Sequence, residues 1–110
     1  MTATDDLDRT RAATLAQIDA LTREFDEVVA ASRSSNADDE HDPEGATIAF
    51  ERQQVAALLD QARRRLDDVD QALARAEAGD YGRCAECGRE IAPERLAARP
   101  QARTCIACAR

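Results

Sequence analysis

The sequence contains four cysteines, and all four lie in its last quarter as two Cys-x-x-Cys pairs. The first pair is Cys84 and Cys87, and the second is Cys105 and Cys108. The two-residue spacing within each pair allows one tight turn to direct both sulfur atoms at a single point. Two such turns supply four thiolates, the set that zinc binds tetrahedrally, and Gly88 suits the left-handed backbone that such turns often need. The pattern predicts one structural Zn²⁺ ion bound by the four cysteines.

Two structural disulfides, or a redox-active dithiol of the thioredoxin type, would also use Cys-x-x-Cys pairs. The N-terminus does not resemble a signal peptide, so we expect a cytoplasmic, reducing compartment, in which disulfides are disfavoured. A thioredoxin-type motif should adjoin a βαβ pattern, and the sequence has no strand-rich region. Zinc is therefore the favoured interpretation. The thiol oxidoreductase is excluded if all four sulfur atoms bind zinc, which a metal assay would decide.

Two long amphipathic helices are predicted ahead of the first cysteine. From Asp5 to about Ser34 the apolar residues form one helical stripe, and from Ala46 to Ala78 they alternate at spacings of four and three, as in a coiled-coil seam. Gly79 follows the last periodic residue and predicts the end of the second helix. The first stripe is Leu7, Leu15, Ile18, Leu21, Phe25 and Val28, and the second is Val55, Leu59, Ala62, Leu66, Val69, Leu73 and Ala76.

The segment between the two stripes predicts a turn. Residues 37–45 include five acids, together with Pro43 and Gly45. About thirty residues on each side of this turn allow the stripes to bury each other in an antiparallel hairpin roughly 45 Å long, with Val28 expected nearer to Leu66 than to the chain ends. The alternative is a coiled-coil dimer, but folding back satisfies both stripes within one chain at a modest loop-closure cost. We therefore expect a monomer.

The predicted fold is mainly α, with two parts. An antiparallel two-helix coiled-coil hairpin spans residues 1–78, with an acidic tip at 37–46, and a small four-cysteine zinc finger spans residues 79–110. Only Ile91, Leu96 and Pro93 are apolar side chains able to cover the zinc site. Because these are too few for stability without metal, we expect zinc binding and folding of the finger to be coupled.

Charge and composition exclude several classes of function. The net charge of −7 disfavours binding to DNA, RNA or anionic membranes unless a local basic patch overrides it. Residues 89–110 hold five Arg against two Glu, but no aromatic side chains interleave for base stacking. No apolar run approaches the ~20 residues needed to span a bilayer, and no catalytic constellation is visible. We expect neither an enzyme nor a membrane protein, and no sequence-specific DNA binding; a nucleic-acid-binding or protein-interaction zinc finger is the alternative.

Three segments carry a resemblance to a known family. These are Gly-Asp-Tyr-Gly-Arg-Cys-Ala-Glu-Cys-Gly at 79–88, Arg-Leu-Ala-Ala-Arg-Pro at 95–100 and Cys-Ile-Ala-Cys at 105–108. Together they closely resemble the zinc finger of the DksA/TraR transcription factors, which place an acidic-tipped coiled-coil hairpin before the finger. Members of that family bind RNA polymerase rather than DNA and insert the hairpin through the secondary channel. The resemblance implies RNA polymerase as the partner and a role in modulating initiation.

The resemblance also implies which residues face the polymerase. The tip motif of the best-known members is Asp-x-x-Asp-x-Ala, and counting back from the first cysteine places its positions at His41, Glu44 and Ala46. Asp42 or Asp39 supplies the first acid if the loop is shifted. The implied polymerase-facing tip is therefore His41, Asp42, Glu44 and Ala46.

Overall fold

The computed structural model describes residues 3–34 and 43–109, with the backbone alone at positions 34, 43 and 44. Within these ranges the chain forms three helices, α1 (Ala3–Ser34), α2 (Pro43–Ala78) and α3 (Pro93–Ala98). The same ranges contain no strand, and the only strand-like pairing there is an isolated antiparallel bridge between Arg83 and Glu90. None of the described helices is long and apolar enough to cross a membrane. The predicted mainly helical fold, a two-helix hairpin followed by a finger, is confirmed.

Helix α1 begins two residues before the predicted start. Asp5 and Asp6 lie in its first turn, where the positive end of the helix dipole favours acidic side chains. Thr10, Thr14 and Thr22 each donate a hydroxyl hydrogen bond to the carbonyl four residues earlier, at 2.9, 2.7 and 2.7 Å. These bonds allow Thr14 to be buried on the helix, with 2% of its surface exposed, without an unsatisfied hydroxyl.

The predicted start of α2 is wrong by three residues. The sequence suggested a turn through Gly45 and a helix from Ala46, whereas α2 begins at Pro43. Proline is favoured in a first helical turn because its fixed φ suits the helix and its missing N–H would have no intrahelical partner there. The remainder of the predicted turn, residues 37–42, lies outside the described residues.

The predicted stop of α2 at Gly79 is confirmed. Gly79 has φ of 83°, and its N–H donates to the carbonyl of Ala76 at 3.3 Å. The N–H of Asp80 donates to the carbonyl of Arg75 at 2.9 Å. These two bonds form a Schellman motif, which satisfies carbonyl groups left free at a helix end and requires a residue that tolerates positive φ.

The chain divides into two compact units. We call Ala16–Arg63 the hairpin unit, and Met1–Leu15 with Arg64–Arg110 the finger unit. The predicted boundary between residues 78 and 79 stays a prediction.

In the hairpin unit, the later part of α1 packs against the early part of α2. Leu21, Val55, Leu59 and Ala62 form a buried cluster, with Ile18 and Phe25 packed against it. Every one of these six residues belongs to a predicted stripe. The 3.6-residue periodicity therefore identified the buried face of both helices in this unit.

In the finger unit, the start of α1 packs against the end of α2. The buried cluster is Leu7, Val69 and Ala72, and the partly buried side chains packed against it are Leu73, Ala76 and Tyr81. Arg11 also forms a salt bridge from its Nε to Asp70 Oδ1 at 2.7 Å, which links the two helices. The early end of α1 therefore pairs with the late end of α2, as an antiparallel hairpin requires.

The expectation that Val28 lies nearer to Leu66 than to the chain ends stays a prediction, because Val28 belongs to the hairpin unit and Leu66 to the finger unit. Leu15, another predicted stripe residue, is 40% exposed, whereas its neighbour Thr14 is buried.

Candidate metal centre

The first cysteine pair lies in a tight turn closed by backbone hydrogen bonds. The N–H of Cys84 donates to the carbonyl of Arg89 at 2.7 Å, and the N–H of Gly88 donates to the carbonyl of Cys84 at 3.0 Å. Gly88 has φ of 75°, the left-handed conformation expected at this position. The N–H of Cys87 points at Cys84 Sγ, 3.5 Å away. The turn therefore folds the backbone around the first sulfur.

The second cysteine pair lies in a similar turn. The N–H groups of Cys108 and Ala109 both donate to the carbonyl of Cys105, at 3.1 and 2.9 Å. The N–H of Ala85, within the first pair, donates to the carbonyl of Arg103, just before the second pair, at 2.8 Å. This bond ties the two turns together and brings residues that are distant in sequence to one site.

The four sulfur atoms form a cluster of the size that one zinc ion needs. The Sγ atoms of Cys84, Cys87, Cys105 and Cys108 all lie within 4.8 Å of one another. The Sγ atoms of Cys87 and Cys105 are 3.7 Å apart. A tetrahedral ion with Zn–S bonds of about 2.3 Å separates its sulfur ligands by about 3.8 Å, whereas a disulfide requires about 2.05 Å. All four cysteines are free, so the arrangement matches a metal site and not two disulfides.

The surroundings of the sulfur atoms favour thiolates at two positions. Hydrogen bonds from the backbone N–H groups of Cys87 and then Cys105 lower the pKa of Cys84 to about 6. The N–H of Cys108 likewise lowers the pKa of Cys105. Hydrogen bonding of its thiol to the sulfurs of Cys105 and Cys84 raises the pKa of Cys108 to about 12. The backbone therefore stabilises negative charge at the site, and the thiolate is the form that binds metal.

The apolar cover of the site is thin, as predicted, but its composition differs. Ile91 is buried, with 3% exposed, and its N–H donates to the carbonyl of Gly82 at 2.7 Å. Leu96 is half-buried, whereas Pro93 is exposed at the start of α3. Ala102 is a further buried residue of the finger, and nothing in the sequence singled it out, because alanine is common at both exposed and buried positions. Very few apolar side chains therefore cover the site.

Side-chain hydrogen bonds fix the finger within its unit. Tyr81 packs against the Leu7 cluster, and its hydroxyl donates to the carbonyl of Pro100 at 2.9 Å. Burial, and secondarily the charge of Asp6, raise the pKa of Tyr81, while Arg75 opposes the shift. These contacts give Tyr81 a structural role close to the first cysteine. Nothing in the sequence identifies the carbonyl of Pro100 as the hydrogen-bond acceptor for Tyr81.

The structure describes little of the predicted tip. His41 and Asp42 fall outside the described residues, and Glu44 is described by its helical backbone alone. Ala46 lies in α2, near its start, and is exposed. Their assignment to a polymerase-facing tip stays a prediction.

Comparison with known proteins gives matches to the finger and to the wider fold. The prokaryotic dksA/traR C4-type zinc finger matches residues 79–110. The solved structure of transcription factor DksA2 from Pseudomonas aeruginosa is similar with a TM-score of 0.77 and 31% identity, over 96% of this chain and 75% of that one.

Curated relatives match over shorter stretches. The RNA polymerase-binding transcription factor DksA of Escherichia coli K12 is 41% identical over 49 residues, which are 44% of this chain and 32% of that protein. General stress protein 16O of Bacillus subtilis is 35% identical over 72 residues, 66% of this chain and 44% of that protein. The chain thus spans less than half the length of these curated relatives.

The fold and the sulfur cluster together define a C4 zinc-finger protein, in which one zinc ion organises a small domain after a helical hairpin. The chain belongs to the DksA/TraR family.

Proposed function

We propose that this chain is a non-catalytic transcription regulator that binds RNA polymerase and inserts its hairpin into the secondary channel to modulate initiation. The observation that carries the proposal is the similarity to DksA2 over 96% of the chain, because it includes both long helices and the finger. The name of the Escherichia coli relative, an RNA polymerase-binding transcription factor, indicates the partner. A protein with this partner acts in the cytoplasm.

In this proposal, the zinc ion has a structural role. Cys84, Cys87, Cys105 and Cys108 are its ligands, supported by the mutual closeness of their sulfur atoms. Four protein ligands fill a tetrahedral zinc ion and leave no open position for a substrate. The ion therefore holds two turns in place, and the function depends on the surface that the turns build.

The acidic tip provides the regulatory contact. Five acids among residues 37–45 concentrate negative charge next to the start of α2. We place Asp42, Glu44 and Ala46 close to the catalytic centre of the polymerase, with His41 beside them. That centre holds bound cations, to which nearby carboxylates are attracted when water is largely excluded. Affinity for the polymerase comes mainly from the hairpin and finger, whereas the tip changes the activity of the complex.

The protein acts as a monomer without binding DNA directly. Both apolar stripes are used within one chain, as the Leu21 and Leu7 clusters illustrate, so no second helix is required to cover them. The net charge of −7 opposes non-specific binding to nucleic acid. Regulation therefore depends on contact with the polymerase and not on recognition of a promoter sequence.

The test separates binding from regulation. Asp42→Asn combined with Glu44→Gln should change transcription by purified polymerase much more than it weakens polymerase binding. The control is Glu24→Gln combined with Asp26→Asn, which removes two exposed charges from α1 and should alter neither quantity. Equal losses of binding and regulation in the tip variant would contradict the division of roles, and absence of binding by the wild type would remove the proposed function.

A further inference from the structure

A cavity beside the first cysteine pair is lined both by the end of α2 and by the zinc site. It has a volume of about 560 Å³, and its wall consists of residues 84–88 together with Arg75, Asp80 and Arg83. All of these residues belong to the finger unit. Cys84 is buried, with 2% exposed, whereas Cys87 is exposed. The cavity therefore brings a cationic side chain of α2 to the wall that holds two of the four sulfur atoms.

Arg75 is partly buried in this wall, and one nitrogen of its guanidinium group has no partner. Its Nη2 is buried and makes no hydrogen bond within residues 3–34 and 43–109. Burying a polar N–H without a partner costs free energy, and burying a positive charge costs more. The helix dipole favours a cation in the last turn of α2, but this effect does not require burial. The position of Nη2 therefore calls for a further source of negative charge.

The other polar side chains around Arg75 supply little negative charge. Asp80 and Glu86 lie in the same cavity wall, but both are exposed, and no salt bridge of the described residues joins either of them to Arg75. Exposed carboxylates interact weakly with a nearby cation because water and salt screen them. Tyr81, on which the charge of Arg75 also acts, is neutral near pH 7 because burial raises its pKa.

The sulfur cluster is the remaining source of negative charge at this cavity. A zinc ion with four thiolate ligands carries a net charge of roughly −2. Because Cys84 is buried, water screens its thiolate less than it screens the exposed carboxylates. The unpaired Nη2 of Arg75 therefore fits a site that holds zinc and four thiolates better than a site with four neutral thiols.

We propose that the guanidinium group of Arg75 stabilises the zinc–thiolate cluster electrostatically and thereby raises the affinity of the finger for zinc. Without zinc, protonated thiols carry no negative charge, and the buried N–H of Arg75 loses its compensation. Zinc binding and burial of Arg75 therefore favour each other, which couples the last turn of α2 to the metal site. The inference concerns the isolated chain and does not depend on binding to RNA polymerase.

Two substitutions at position 75 separate charge from packing, with zinc affinity measured by competition with a chelator. Arg75→Met keeps an unbranched apolar stem and removes the charge, so it should raise the Kd for zinc about tenfold, the lower end of the effect for residues around a metal site. Arg75→Lys keeps the charge and should hold the Kd within about threefold of the wild type. The matched control is Arg64→Met, the same change at an exposed position of α2, which should leave the Kd unchanged.

Circular dichroism at 222 nm checks that each variant keeps its helices. If Arg75→Met loses them, Arg75→Gln takes its place, because it retains N–H donors without the charge and should raise the Kd to the same extent. A wild-type Kd in the uncharged variant would overturn the inference. An equal rise of the Kd in Arg75→Lys would also overturn it, because packing or hydrogen-bond geometry would then account for the role of Arg75.

Discussion

Removing one sulfur ligand should unfold the finger and leave most of the helical hairpin folded. Cys105→Ser takes away a thiolate ligand. It does so at a residue whose backbone carbonyl accepts two hydrogen bonds in the second turn. Full burial of Ile91 contributes only about 1.5–3 kcal/mol, whereas ordering each finger residue costs about 1–2 kcal/mol of backbone entropy. The finger therefore depends on zinc, whose binding to small zinc fingers supplies about 10–16 kcal/mol.

The size of the expected spectral change follows from the helix lengths. Helices α1, α2 and α3 contain 32, 36 and 6 residues. Loss of α3 removes 6 of these 74 helical residues, or about 8% of the helical circular-dichroism signal. The cluster around Leu21, Val55 and Leu59 contains no finger residue, so the hairpin unit should keep its helices.

The assay combines zinc content with circular dichroism at 222 nm. Cys105→Ser should lose its stoichiometric zinc and about a tenth or less of its helical signal. Ala107→Ser is the control, because it places the same hydroxyl at an exposed position between the two cysteines and should keep both. Retention of one tightly bound zinc in Cys105→Ser would contradict the role of Cys105 as a ligand, and loss of half the helical signal would contradict the independence of the hairpin unit.

Four further substitutions test the packing around the finger. Leu7→Ala, at a fully buried position, should lower the unfolding free energy by about 2–5 kcal/mol in urea titrations. Leu15→Ala, at a 40% exposed position, should lower it by about 1 kcal/mol or less. Tyr81→Phe should lower the unfolding free energy by about 1 kcal/mol. Because burial raises the pKa of Tyr81, its contribution to stability is complete below the unfolded pKa near 10 and is lost as the pH rises through the folded pKa. The stability of the variant should therefore decline less at high pH than that of the wild type. Gly79→Ala should lower the melting temperature, because its φ of 83° strains any side chain, whereas a wild-type value would mean that the helix end relaxes freely.

Periodicity and spacing were sufficient to predict the helices and the sulfur cluster. The stripe residues of the hairpin unit are buried together because a spacing of three and four places them on one helix face. Within each cysteine pair, the two-residue spacing allows one turn to direct both sulfur atoms at a single point. In both cases a local geometric rule determines the outcome.

Features that depend on tertiary context were not predicted. Pro43 is compatible with both a turn and a first helical turn, so the start of α2 was placed too late. Ala72 and Thr14 are buried because of the residues that face them, and neither residue type identifies itself as core. The hydrogen bond from Tyr81 to Pro100 joins residues 19 apart through a backbone carbonyl, a partner that every residue possesses.

A cryo-EM reconstruction of the wild-type protein with purified bacterial polymerase would show whether the chain acts inside the enzyme. We expect density for the two-helix hairpin within the secondary channel, with the segment from Asp42 to Ala46 nearest the catalytic centre and the zinc finger outside the channel entrance. A complex in which the hairpin lies elsewhere on the enzyme, or no complex at concentrations far above those in the binding assay, would contradict the proposed function.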